Sequence, residues 1–109
     1  MSVEKVRQYF EGTEMDGRII IPDRSSATVA LAAQALGTEP DRIAKTMSFL
    51  VEDQPVLIVT SGETRVDNRK YKAQFHTKAK MIPGELVEDL TGHAPGGVCP
   101  FANPPQVKT

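Results

Sequence analysis

Lys45 heads the residues whose type and position could carry chemistry. The run Lys45–Glu52 has the composition of a strand, and period-two alternation sets Lys45 on one face with Met47, Phe49 and Val51. A lysine on an otherwise apolar face either snorkels out at the strand's end or points into a cleft. The second candidate is the run Gly92-His93-Ala94-Pro95-Gly96-Gly97-Val98-Cys99-Pro100-Phe101. Adjacent glycines let a backbone approach a ligand closely, and a row of N–H groups there could hold a carboxylate, a phosphate or a developing oxyanion. The same composition also describes a plain glycine-proline loop. Cys99 with His76 or His93 could be a thiol and its base, but no third orienting group is identifiable. Histidines in such numbers more often cap, hydrogen-bond locally or face solvent.

The charge is uneven. Residues 1–64 hold six basic and ten acidic side chains, whereas residues 65–80 hold Arg65, Arg69, Lys70, Lys72, Lys78 and Lys80 against Asp67 alone. A local basic segment in a chain of net charge −1 suits contact with a few phosphates, not with a long duplex. It is equally what a solvated helix face looks like. Tyr71 and Phe75 lie within it at helical spacing, as core anchors or as stacking surfaces. No P-loop, Rossmann fingerprint, HExxH or paired-cysteine metal motif is present, so neither a metal nor a cofactor is expected.

The elements that would position these groups are readable in outline. Ser2–Glu11 reads as a short amphipathic helix stopped by Gly12, and Arg18–Pro22 as a β-branched strand. Ser25 or Ser26 would cap a helix through Ala27–Leu36, ended by Gly37, and Asp41–Ala44 adds a helical turn. Lys45–Glu52 and Val56–Ser61 form a hairpin around Asp53-Gln54-Pro55. Short strands are expected at Arg65–Val66 and Lys80–Ile82. Asp67 should cap a helix over Asn68–Phe75, and Pro83 should open another that Gly92 closes. His93–Pro105 is loop-like. Helices and strands mingle without a strict βαβ rhythm, which points to an α+β domain.

With 109 residues, the chain is one domain's worth, and that is long enough to bury about two thirds of its unfolded surface. No stretch approaches the roughly 20 apolar residues of a membrane span, and the N-terminus lacks a signal peptide's apolar core. A single cysteine allows no internal disulfide, so a cytoplasmic address is expected.

Several separated segments resemble the YbaK/ProX family, related to the editing domain of bacterial prolyl-tRNA synthetases. Ala35-Leu36-Gly37 followed by Arg42–Phe49 is similar to the family's first signature, and Val56–Val59 with Gly62 and Val66-Asp67 to its central hairpin. Met81-Ile82, the helix to Thr91-Gly92 and the Gly96–Phe101 run, a GxxxP motif from Gly96 to Pro100, complete the pattern. The resemblance covers roughly residues 25–105. It implies a strongly curved mixed or antiparallel sheet, or partial barrel, flanked by helices. It further implies hydrolysis of mischarged aminoacyl-tRNA, typically alanine or cysteine on prolyl-tRNA, at the tRNA 3′ end, with prolyl-tRNA synthetase as a second partner. Lys45 would hold the terminal nucleotide, and Gly96, Gly97 and Pro100 would shape the aminoacyl pocket. Thr46, Ser48, Val98, Cys99 and Phe101 would contact the substrate, and Arg69, Lys70 and Lys72 the tRNA. Water, or the substrate's own thiol, would attack the ester. Family members continue through further strands and a helix, so a single domain over residues 1–109 without those elements is expected, as a monomer or weak dimer. A non-catalytic domain that recognises an aminoacylated or nucleotide end, and a thiol hydrolase using Cys99, are the other readings.

Overall fold

The computed structural model describes residues 3–109. Its first helix, α1 (Val3–Phe10), puts Val3, Val6 and Phe10 on one stripe, with Val6 buried. Glu4 in the first turn and Arg7 in the last complement the helix dipole. The expected start at Ser2 lies outside the described residues. Helix α2 (Val29–Leu36) is capped by Thr28, whose hydroxyl accepts from the Leu31 N–H at 3.1 Å. Ser25 instead accepts from the Ala27 N–H in a local turn, so the cap falls two to three residues later than expected. Gly37 ends α2 in the left-handed region.

The sheet is built on a hairpin, β1 (Ala44–Val51) and β2 (Gln54–Ser61), paired antiparallel from Ala44 opposite Ser61 to Val51 opposite Gln54. Its turn is Glu52-Asp53, both at positive φ (49° and 69°), not the expected Asp53-Gln54-Pro55. A two-residue turn of that hand matches strand twist. Pro55 is tolerated inside β2 because Leu57, two residues on, directs its N–H to the Lys108 carbonyl (2.7 Å), away from β1. On the other edge of β1, the expected strand at 80–82 appears as a bridge between Phe49 and Met81, with Leu50 N–H donating to the Lys80 carbonyl at 2.8 Å.

Two expected strands do not form. Arg18 belongs to a single helical turn, Asp16–Arg18, and residues 19–22 join no helix or strand, leaving Ile20 73% exposed. Strand propensity is expressed only where cross-strand neighbours exist, and none meets this run among the described residues. Arg65-Val66 likewise lies in the irregular connection into α3 (Asn68–Phe75). That helix forms as expected: the Asp67 carboxylate accepts from Lys70 N–H at 2.9 Å, and His76 closes it at φ 61°. Helix α4 (Gly84–Thr91) follows Pro83 and ends at Gly92, φ 79°.

Both faces of the hairpin are covered at its centre. Phe49 and Val56, opposite one another, are buried on one face, and Ser48 and Leu57 on the other. Helix α3 packs on the Phe49 face, where the Phe49 and Tyr71 ring centroids are 5.1 Å apart and Tyr71 and Phe75 4.7 Å. Tyr71 and Phe75 are therefore core anchors. The α+β class is as expected. The sheet does not close on itself among the described residues.

Candidate functional site

Lys45 is the second residue of β1, opposite Thr60, on the face that carries Phe49 and α3. It is half-buried, and its ammonium donates to the Thr64 carbonyl at 2.9 Å, tying the head of β1 to the connection that leads into α3. Strand alternation puts Thr46 and Ser48 on the opposite face, where Ser48 is buried. The end of the hairpin is braced from below: Ser61 Oγ donates to the Asp41 carboxylate at 2.8 Å, and Gly62 passes hard against Pro40 and Val29. A hollow of about 360 Å³ opens here between residues 41–44 and 59–61.

The Gly96–Pro100 loop is held by other groups. His93 is fully buried, its N–H donates to Thr91 Oγ1 at 3.2 Å, and its Nε2 lies 2.8 Å from the Phe101 carbonyl. That bond closes the ends of the loop on each other. Asn103 Nδ2 donates to the Cys99 carbonyl at 3.0 Å, and Gly97 N–H to the Ala94 carbonyl at 2.9 Å. Gly96 sits at φ 83°, a conformation that favours glycine, with open space where a Cβ would stand. Val98 and Pro100 are half-buried. The Phe101 ring meets Phe10 edge-on at 4.8 Å and Tyr9 at 6.2 Å, so α1 backs the loop. No hydrogen bond joins Lys45 to this loop among the described residues: the lysine is anchored on Thr64, the loop on His93, Asn103 and α1.

Of the two candidate cysteine–histidine pairs, the structure brings together Cys99 and His93, with Sγ 3.5 Å from Nε2. A carbonyl can only accept, so the 2.8 Å contact with Phe101 O places a proton on Nε2. That nitrogen then has no lone pair to take the thiol's proton. Burial also pushes the Cys99 thiol pKa up, only partly offset by its hydrogen bond to the Phe101 backbone. The pair is a structural contact, not a nucleophile and base. Cys99→Ser is expected to keep nearly all activity, and Cys99→Ala most of it. Iodoacetamide at pH 8 should alkylate the folded protein much more slowly than the unfolded chain. Loss of several orders of magnitude in rate from Cys99→Ala, with the fold intact, would restore the thiol as nucleophile.

The basic residues divide. Arg69 and Lys72 line a second hollow, of about 450 Å³, together with Asn68, Lys78 and Ala79, whereas Lys70 does not. Lys78 was legible in the sequence only as part of the basic segment. Thr64 and Asn103 carried no sequence signal, and His93 stood out only as a candidate base, because their roles depend on partners 19, 4 and 8 residues away that only the folded backbone brings near. No group of three or more His, Cys, Asp or Glu side chains that could hold a metal exists among the described residues. Among the same residues, no helix is long and apolar enough to cross a membrane.

The fold is an α+β domain in which a two-stranded antiparallel hairpin is flanked by helices. The chain belongs to the aminoacyl-tRNA editing domain family, whose model matches residues 23–109. It is 43% identical over 110 residues to the uncharacterized protein YwhH of Bacillus subtilis (strain 168), covering 98% of this chain and 70% of that protein. A crystal structure of a proposed trans-editing enzyme for prolyl tRNA synthetase superposes with a TM-score of 0.78 at 32% identity, covering 94% of this chain and 66% of the other. The crystal structure of the hypothetical protein APE2540 gives a TM-score of 0.73 at 30% identity, covering 81% of this chain and 59% of that one. The chain thus spans about two thirds or less of the length of these two solved structures.

Proposed function

We propose that this chain is an aminoacyl-tRNA deacylase acting in trans, with tRNA(Pro) mischarged with alanine or cysteine as its substrate. The family match carries this reading, because both Lys45 and the Gly96–Pro100 loop fall within the matched residues. The neighbour described as a trans-editing enzyme for prolyl tRNA synthetase supports the choice of tRNA and makes that synthetase the natural partner. In this mechanism Lys45 holds the phosphate or ribose of the terminal nucleotide, the positioning part of catalysis. Backbone N–H groups of the Gly96–Pro100 loop, other than that of Gly97, which the Ala94 carbonyl holds, stabilise the oxyanion that forms when water, or a cysteinyl substrate's own thiol, adds to the ester carbonyl. Collapse breaks the carbonyl–ribose bond, and the ribose oxygen leaves with a proton. After attack by water the products are a free amino acid and uncharged tRNA.

The proposed unit is one editing domain over residues 1–109. A panel of tRNAs charged with cognate and non-cognate amino acids tests the activity by release of labelled amino acid. Release from alanyl- or cysteinyl-tRNA(Pro), and not from prolyl-tRNA(Pro), is the expected result. Tight binding of the charged end with no release across the panel would make the domain a recognition module instead.

A further inference from the structure

We propose that the hollow walled by Arg69, Lys72 and Lys78 is a phosphodiester-binding groove that holds the backbone of the RNA acceptor end. The inference rests on the editing reading for its ligand class and names where that ligand is gripped. Arg69 and Lys72 are three residues apart on α3, and so share one face of the helix. The left-handed turn at His76 reverses the chain so that Lys78 comes back beside them, with Asn68 and Ala79 completing the wall. The hollow is an open depression of about 450 Å³.

Its charge is uncompensated. Asp67 is the single acid in residues 65–80, and its carboxylate accepts from the Lys70 N–H as the α3 cap. The side chains of Arg69, Lys72 and Lys78 make no hydrogen bond or ion pair among the described residues. Three unpaired cations around one depression, within a chain of net charge −1, match the spacing and sign of a short run of phosphates. The helix that carries the hollow is also tied to Lys45. Helix α3 packs on the hairpin face that carries Lys45, and the Lys45 ammonium rests on Thr64, three residues before the α3 cap. A guanidinium and two flexible ammonium groups grip backbone phosphates without reading bases.

The test uses an uncharged RNA hairpin that carries an acceptor stem and a single-stranded CCA end, with binding followed by fluorescence anisotropy across salt concentrations. Wild-type affinity should fall as salt rises, with a log–log slope of about −2 for three single-strand phosphate contacts. Arg69→Glu, Lys72→Glu and Lys78→Glu should each weaken binding several-fold, and the neutral variants Arg69→Gln, Lys72→Gln and Lys78→Gln should flatten the slope by about 0.7 each. Lys70→Glu, whose side chain is outside the hollow, should weaken binding distinctly less than Lys72→Glu. If a glutamate variant fails to fold, the glutamine variant at the same position supplies the reading. Equal losses from Lys70→Glu and Lys72→Glu, salt-independent binding, no binding by the wild type, or equal competition from polyglutamate would each overturn the proposal. Amino-acid release by the wild type, measured separately, tests the deacylase reading, so the two can fail independently.

Discussion

Lys45→Ala is expected to lower kcat/KM for release of the mischarged amino acid by about 100-fold or more, the scale on which misplacing a bound reactant is felt. Lys45 is half-buried at the head of β1, with an apolar stem on the Phe49 face and its charge at the Thr64 carbonyl. A carbonyl partner leaves the positive charge unneutralised, so it remains available to a phosphate or ribose oxygen. Alanine removes that charge, and the Thr64 carbonyl is exposed enough for water to replace the donor. The stability cost is therefore about 1 kcal/mol or less. Lys45→Met, which keeps most of the stem, should fold like the wild type and be as inactive as Lys45→Ala. A thermal melt and a single-turnover deacylation assay check both halves. Activity within threefold of wild type for Lys45→Met would remove Lys45 from the site.

Much of this fold was legible because its signals are local. Asp67 lies three residues before the N–H it caps, so α3 could be placed to the residue. The proline and glycine that bound α4 act on their own backbone, and the hairpin follows from two β-rich runs joined by turn-forming residues. The failures are of the opposite kind. Arg18–Pro22 has strand composition, but a strand is a pair property, and the run finds no partner. The turn at Glu52-Asp53 slipped from the expected place because proline suggested a turn, while hairpin twist selected two positive-φ residues instead.

The site divides in the same way. The basic segment, Lys45 and the glycine-proline loop stand out by residue type. What holds them does not, because Thr64 under the Lys45 ammonium and Phe101 under the His93 ring are backbone carbonyls, which every residue has. The closeness of Cys99 to His93 shows the hazard of reading chemistry from residue types alone. The distance suits a catalytic pair, yet the proton on Nε2 and the raised thiol pKa assign it to structure. Conversely, Gly62, one glycine among eight, proves to be the most constrained of those for which a Cβ contact is known.

Gly62→Ala is expected to destabilise the domain by about 3 kcal/mol, at the upper end of what overpacking usually costs. A Cβ built at Gly62 falls 2.3 Å from the Pro40 carbonyl oxygen, 2.5 Å from Val29 Cγ1 and 3.1 Å from the Ile43 carbonyl oxygen. None of these neighbours yields easily. Val29 is β-branched in the first turn of α2, with its rotamer restricted, and the Pro40 carbonyl is fixed by accepting the Ile43 N–H at 3.1 Å. Relief requires moving the Pro40–Arg42 turn, which leads directly into Ala44 and Lys45. At roughly 4–8 °C per kcal/mol for a domain near this size, the unfolding midpoint should fall by roughly 12–24 °C. Gly37→Ala is the contrast: at φ 67° it is strained, but a Cβ there meets nothing within 4 Å, so the expected cost is about 1 kcal/mol. Calorimetry or urea unfolding of the two variants separates a steric cause from a conformational one. If Gly62→Ala melts within about 3 °C of wild type, or no lower than Gly37→Ala, the close approach of residue 62 to the 40–43 turn does not brace the head of β1. If the variant folds at low temperature, deacylation should also fall, because a shifted turn displaces Lys45 from the oxygen atoms it must hold.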